Sequence, residues 1–313
     1  MANNRMYWLH TLTPTHAGVG RGVGYIDLPI DRDGVTNWPV IRGSAFKGVW
    51  SDYYLNEESK KAKKRLTRTD LRNHIAAFGM SSDNAENVAN SGSLIPTDAR
   101  LVCLPVRSFR GTFAWCTSLL TLRMLHRTLT LAGMKNPPAM PPAAPPEGTV
   151  FVPQGSVLCD GPQVYLEDLD FTAAEENTAA GFAKRVAAWV FPGDSEAGWR
   201  EEFVKRFAVI PDDTFNFLTE TGTEVHTRVR INDETKTVAD GALWTEESLP
   251  AETILAGVVA CDRVFGPNGH DITPQGLLQE FATVPLSLQI GGKATVGRGQ
   301  VRCIFTNPNG GAL

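Results

Sequence analysis

Apolar and polar positions sort into short runs of two different periods along the chain. "MYWLHTLT" (residues 6–13) alternates as a strand does, whereas "RGSAFKGVWSDYYL" (42–55) spaces its apolar residues at helical intervals, with Ser44 placed to cap it. The basic run "KKAKKRLTRTDLR" (60–72) reads as a solvated helical face. "SGSLIPTDARLVCLPVRS" (91–108) predicts strand, turn and strand, and "SLLTLRMLHRTLTLAG" (118–133) an amphipathic helix ending at Gly133. Strands follow in "TVFVPQGSVLC" (149–159) and "QVYLEDLDF" (163–171), then a helix in "AAGFAKRVAAWVF" (179–191). "VHTRVRINDETKTVADGALW" (225–244) has two alternating arms around a polar centre, the pattern of an exposed hairpin. "TILAGVVAC" (253–261) predicts a buried strand and "TPQGLLQEFA" (273–282) a helix with Pro274 at its first position. "PLSLQIGGKATVGRGQVRCIF" (285–305) closes the series with two strands around a glycine-rich loop. Nothing is assigned between 193 and 224. Strands and helices mix without regular βα alternation, so the expected class is α+β.

Between Pro137 and Pro146 the chain reads "PPAMPPAAPP", a polyproline-type surface excursion. It fits either a domain boundary or an insertion of about 135–148 within one fold. At 313 residues, one elaborated domain and two small ones are both open.

Composition narrows the function classes. A net charge of −4 argues against a free-standing, non-specific nucleic-acid binder, yet leaves room for a basic groove on one face. No apolar run reaches the ~18 residues of a membrane span, and the mixed start "MANNRMYWLH" predicts no secretory leader. The five cysteines are scattered without a CxxC pair, which fits a cytoplasmic protein with reduced thiols and no structural zinc.

Candidate chemistry concentrates in two glycine-rich loops. In "HAGVGRGVGYIDLPIDRD" (16–33) four glycines precede Asp27, a carboxylate set between Ile26 and Leu28. Ordering so flexible a loop costs entropy, and phosphate cradling, close backbone approach to a ligand, or a plain surface turn could each account for it. "GVGRGVG" lacks the lysine of a Walker loop, and "GGKAT" carries Ala294 where the hydroxyl is needed. The extended-looking "YIDLPI" and "QVRCIF" exclude a dinucleotide fingerprint, which requires a helix there. Backbone amides beside Arg21, Lys293 and Arg298 suit a phosphodiester chain; two hairpin turns with incidental charges are the plainer alternative. Asp27 is then a functional carboxylate or a turn cap, and His16, at the other end of its loop, a proton donor or acceptor. HExxH, GxSxG and metal-spaced His/Cys sets are all missing from the sequence.

Four stretches together resemble one family. "TLTPTHAGVGRGVGYIDLPIDRD" with "WPVIRGSAFKGVW", then "DARLVCLPVRSFRGTFAWCTS", "GALWTEESLP" and "LQIGGKATVGRGQV" are similar, in order from about residue 7 to 306, to the RAMP superfamily backbone subunit of type III-B (Cmr) CRISPR effector complexes. The resemblance implies one domain over 1–313, a modified RRM-like ferredoxin fold with inserted helices and a protruding hairpin thumb at about 225–244. It implies stacked copies along a CRISPR RNA, beside other Cmr subunits and away from membranes, each thumb displacing a nucleotide of the guide–target duplex. It implies cleavage of target RNA at regular intervals with a divalent cation (Mg or Mn). Asp27 matches the family's cleaving aspartate and candidate metal ligand, and His16 a histidine of the same loop. Arg21, Arg42, Ser44, Lys47, Gly291, Gly292, Lys293, Gly297 and Arg298 fall at RNA-contacting positions. Glu246 and Glu247 lie near the cleavage site, although Ser248 stands where bulkier residues are expected. A non-catalytic RNA-binding scaffold of the same complex is the alternative.

Overall fold

The computed structural model describes residues 3–22, 24–67, 70–80, 89–232, 234–265 and 271–307. Parts of the first glycine loop (Val23), the basic run (Arg68, Thr69) and the hairpin tip (Asp233) therefore lie outside the described residues. The chain opens with β1 (Asn4–Thr11), β2 (Val40–Ile41), α1 (Gly43–Ala62), α2 (Arg72–Phe78), β3 (Gly79–Met80) and β4 (Asn90–Ser91). Next come β5 (Ile95–Pro96), β6 (Ala99–Arg107), β7 (Phe113–Ser118), α3 (Leu119–Leu131), β8 (Thr149–Val152), β9 (Cys159–Asp160), β10 (Gln163–Leu166) and β11 (Leu169–Glu175). Then follow α4 (Asn177–Val190), α5 (Ala197–Arg206), β12 (Phe207–Ile210), α6 (Asp212–Thr221), β13 (Glu224–Ile231) and β14 (Val238–Ser248). The last elements are β15 (Ile254–Ala260), α7 (Pro274–Phe281), β16 (Leu286–Gln289) and β17 (Gln300–Thr306).

One thirteen-stranded sheet runs β16-β17-β1-β15-β6-β7-β12-β8-β11-β10-β9, with β2 on β6 and β5 on β15. The expected α+β class is therefore what the chain adopts. β1 sits deep in this sheet, antiparallel to both β15 and β17. Its residues alternate between two cores. Met6 and Trp8 pack with α3, α4 and α5, through Leu122, Phe182 and Phe203. Tyr7 and Leu9 pack on the other face with α1, α2 and α7, through Phe46, Trp50, Phe78 and Phe281. A strand covered on both faces is apolar at every position, which is why "MYWL" is a continuous run. A third cluster, with Phe215 and Leu218 of α6, backs the distal half of the sheet.

Two sequence expectations need correction: the cap at Ser44, and the helical reading of the basic run 60–72, whose described residues leave the helix after Ala62 and enter the next α-helix only at Arg72. Ser44 does not cap α1: the helix begins at Gly43, and the acceptor at its N-terminus is the Asp98 carboxylate, 2.8 Å from the Gly43 amide. The extended-looking "YIDLPI" segment forms no helix, as expected, and is held by isolated bridges. Three elements, α5, β12 and α6, occupy the stretch left unassigned. The proline-rich segment is no break in the packing, since Pro138, Pro141 and Pro145 are buried at the three- to four-residue spacing expected when one face of an extended helix lies on a surface. The hairpin β13–β14 forms its own two-stranded sheet, with Val225, Val229, Ile231 and Leu243 exposed.

Candidate nucleic-acid interface

The root of the hairpin organises both glycine loops. Because successive side chains of a strand face opposite ways, Trp244, Glu246 and Ser248 of β14 lie on one face, Thr245 and Glu247 on the other. The first glycine loop docks on the odd positions. Leaving β1, it exchanges two backbone bonds between Thr15 and Leu249, both 2.9 Å. It then turns at its tip, where the Gly22 amide donates to the Asp27 carbonyl at 2.9 Å. The returning arm lies alongside β14: Leu28 donates to the Thr245 carbonyl at 3.0 Å, and Glu247 donates back to the Leu28 carbonyl at 3.0 Å.

Asp27 stands exposed on this arm. Its Oδ2 accepts from the Thr245 amide at 2.8 Å and from the Thr245 hydroxyl at 3.0 Å. Its own amide donates to Thr245 Oγ1 at 2.9 Å. The Thr245 amide first, then its hydroxyl, hold the Asp27 carboxyl below the usual carboxylate range, with Arg21 adding a favourable charge. Oδ1 makes no hydrogen bond to another described residue.

His16 is buried, and its Nδ1 donates to the Glu247 carbonyl at 2.6 Å. With Nδ1 committed, Nε2 is the ring atom left for a ligand. A Cβ on Gly18 would lie 2.5 Å from that Nε2, so a side chain there would cover it. His16 and Asp27 do not bond to each other. Their anchors on β14 are two residues apart, about 7 Å along a strand.

The second glycine loop meets the first at His16, whose carbonyl accepts from the Gly292 amide at 3.0 Å. Gly291 has φ +81°, and a Cβ there would fall 2.2 Å from the His16 carbonyl oxygen, so only glycine fits this crossing. Gly291, Gly292 and Gly297 are exposed. The loop's cations turn to the even face of β14. Lys293 Nζ lies 2.7 Å from Glu246 Oε1, and Arg298 is buried, donating to Ser248 Oγ at 2.8 Å. Arg298 is thus turned inward, away from the surface where the sequence expectation had it.

Glu246 and Glu247 are buried struts. Trp244 Nε1 donates to Glu246 at 2.7 Å, and Arg228 approaches it at 3.4 Å. Burial pushes the Glu246 carboxyl up, but the Lys293 and Trp244 hydrogen bonds and the charges of Lys293 and Arg228 outweigh it, leaving a value of about 2. Glu247 accepts from Arg32 at 2.5 Å, Thr223 Oγ1 at 2.9 Å and the Ile30 amide at 3.0 Å. Neither carboxylate is presented to solvent.

The remaining candidates divide in the same way. Arg42 spends its fork on Asp31, at 2.7 and 2.8 Å, and on Asp98 at 3.1 Å. Asp31 first and Asp98 second raise its pKa. It braces the loop's end against α1. Lys47 is half-buried, its Nζ 2.6 Å from where a Cβ of Gly92 would lie, and burial lowers its pKa. Arg21 and Ser44 are exposed. Thr245, Arg32 and Arg228 were not among the sequence candidates; the signal for Thr245 was the strand alternation of "LWTEES" itself. Among the described residues no group of three or more His, Cys, Asp and Glu side chains could hold a metal ion.

A family model described as the RAMP superfamily matches residues 8–302. This chain belongs to the RAMP superfamily. A curated RAMP relative, the CRISPR system Cmr endoribonuclease Cmr4 of Pyrococcus furiosus, is 34% identical over 298 residues, covering 94% of this chain and 92% of the relative. The crystal structure of oligomeric Cmr4 from Pyrococcus furiosus superposes with a TM-score of 0.69 at 25% identity, covering 97% of each chain. A chain of the type III-B Cmr-beta complex bound to cognate target RNA gives 0.68 at 20% identity over 96% of each, a likeness of fold. The RAMP architecture expected from the four sequence stretches is the one observed.

Proposed function

We propose that this chain is the repeated backbone subunit of a type III-B CRISPR ribonucleoprotein, binding CRISPR RNA and cleaving complementary target RNA at regular intervals. On this reading Asp27 is the catalytic carboxylate, the β13–β14 hairpin is the thumb, and further copies of the chain and other Cmr subunits are its partners. The name of the 34%-identical relative supports the activity. The observation that carries the residue assignment is the exposed Asp27, ionised and held by one oxygen on the hairpin root, beside the crossing of the two glycine loops at His16. The five free thiols suit a reducing compartment, and we place the complex in the cytoplasm. No described helix is long and apolar enough to cross a membrane.

The geometry suits a reaction driven by alignment. A nucleotide displaced from its stack can bring its 2′-hydroxyl in line with the adjacent phosphate. Asp27 Oδ1 accepts the hydrogen bond from that hydroxyl and orients it. A carboxyl held below its usual range is a weak base, so orientation and negative charge are its main contributions. The hydroxyl proton passes to solvent as the 2′-oxygen bonds to phosphorus. His16, in the imidazolium form with Nδ1 still donating to Glu247, gives its Nε2 proton, on the side left open by Gly18, to the departing oxygen. The exposed backbone at Gly291, with Arg21, receives the backbone phosphates, the Gly292 amide being already given to the His16 carbonyl.

A divalent cation fits this donor set only through a single carboxylate, because Glu246 and Glu247 are consumed in ion pairs. That is the chemistry of a hydrated Mg, which takes one or two carboxylates and completes its shell with water and phosphate oxygens. Asp27 would hold it, and a bound cation would lower the pKa of a nearby hydroxyl and offset phosphate charge.

Complexes assembled with Asp27→Asn test the reading. Guide and target binding by gel shift should be unchanged, while single-turnover cleavage slows by ~10²-fold or more. Cleavage at the unmodified rate would leave the non-catalytic scaffold as the function.

A further inference from the structure

Asp27 sits on an arm that by itself cannot fix a side chain. The loop carrying it has glycines at 18, 20, 22 and 24, and its tip is closed on Asp27 by one backbone bond from Gly22. Fixing a side chain on such a segment costs conformational entropy that the segment's own contacts do not offset. What does fix it comes from 218 residues further along the chain. Thr245 donates twice to Oδ2 and accepts once from the Asp27 amide, so donor and acceptor sites on both residues are used reciprocally. The Thr245 hydroxyl also lies 3.3 Å from the Tyr25 carbonyl, but it has one proton to give, and the ionised carboxylate at 3.0 Å is the stronger acceptor.

We infer that Thr245 is a positioning residue for cleavage: its hydroxyl locks the Asp27 carboxylate in the rotamer that turns Oδ1 toward the RNA. The inference rests on the reading of Asp27 as the catalytic carboxylate. Three features make Thr245 more than a generic strand residue. It belongs to the odd face of β14, whose other member, Glu247, holds Ile30 and Arg32 of the same loop. Its carbonyl takes the Leu28 amide and its hydroxyl oxygen the Asp27 amide, so backbone and side chain grip two successive amides of the arm. Its strand is the returning arm of the hairpin, so Asp27 takes its orientation from the hairpin root and not from its own flexible loop. The depressed carboxyl pKa, caused first by the Thr245 amide and then by its hydroxyl, is the electrostatic trace of the same clamp.

The test compares complexes carrying Thr245→Val, which keeps the branched shape without the hydroxyl, and Thr245→Ser, which keeps the hydroxyl without the methyl. A hydrogen bond to a charged group supports an effect of about ten- to a hundredfold. Single-turnover cleavage by Thr245→Val should fall by that factor with guide and target affinity unchanged, and Thr245→Ser should restore it to within about threefold of the parent. In an Asp27→Asn background, Thr245→Val should add nothing, because the carboxylate it positions is gone. Equal losses in the valine and serine variants would show that packing matters and the hydroxyl does not, overturning the inference. Parent-like cleavage by Thr245→Val beside an inactive Asp27→Asn would overturn it while sparing the catalytic role of Asp27. Parent-like cleavage by Asp27→Asn would remove both. If the valine variant fails to assemble, Thr245→Cys serves in its place, its thiol being a weak donor of similar size.

Discussion

Replacing Glu247 by alanine removes an acceptor that three donors share. The carboxylate is 2% exposed and receives Arg32 at 2.5 Å, Thr223 Oγ1 at 2.9 Å and the Ile30 amide at 3.0 Å. Breaking a buried ion pair from one side costs about 3–5 kcal/mol, because the partner charge stays behind without compensation. Arg32 is 17% exposed and keeps two carbonyl acceptors, Asn37 at 2.9 Å and Thr219 at 3.1 Å, which lowers its share of that penalty. The Ile30 amide and Thr223 hydroxyl each add a neutral donor left unpaired, at about 1–3 kcal/mol before water enters the vacated space. Taken together, a loss of about 3 kcal/mol is expected, or roughly 6 °C in Tm at about 2 °C per kcal/mol for a long chain. The assay is urea unfolding of Glu247→Ala, Arg32→Ala and the double variant. The double should cost less than the sum of the singles, since removing both charges leaves neither stranded. A loss below about 1 kcal/mol for Glu247→Ala, or strictly additive costs, would refute the strut.

Two further predictions concern the hairpin root and the loops that close on it. The Glu246 carboxyl is depressed to about 2 in the folded chain, so its ion pairs stabilise fully above its unfolded value near 4.5 and are lost as pH falls toward 2. The stability difference between the parent and Glu246→Gln should therefore shrink across that window in acid titrations followed by circular dichroism, and a pH-independent difference would count against the pairing. Arg21→Ala, at an exposed loop tip, should leave the fold intact but weaken RNA binding and reduce the salt slope by about one phosphate contact; Arg298→Ala, buried against Ser248, should instead lower the unfolding midpoint, and the reverse pattern would show the two arginines misassigned.

Local periodicity was enough to read the elements whose burial follows one rule. β1 and β15 show as apolar runs because both faces are covered, and α7 announces itself with Thr273 and Pro274. Where the decisive partner is distant in sequence, the pattern misled. Ser44 looks like a cap, but Asp98 from 55 residues away supplies the acceptor at the start of α1. Arg298 and Lys293 look like free cations in a loop, yet β14 presents Ser248 and Glu246 to them. No local signal marks "WTEES" as the strand on which both glycine loops close. Thr245 was legible only as an alternating position, because its meaning depends on a contact 218 residues away.

The pairing of β1 between β15 and β17 has a consequence for biogenesis. Met6 lies opposite Thr306, so the ladder between β1 and β17 joins residues 300 positions apart. At about 5–20 residues per second a ribosome takes roughly 15–60 s to add that length of chain. Until β15 is made, about 250 residues after β1, the first strand has neither of its neighbours, and a short apolar segment with two unpaired edges is open to non-native association. Sheets closed over such separations also fold slowly once complete, because the loop entropy must be lost before the contacts form. Synthesis of this subunit should thus depend on chaperone capacity, with nascent chains stalled before about residue 300 unable to complete the ladder between β1 and β17.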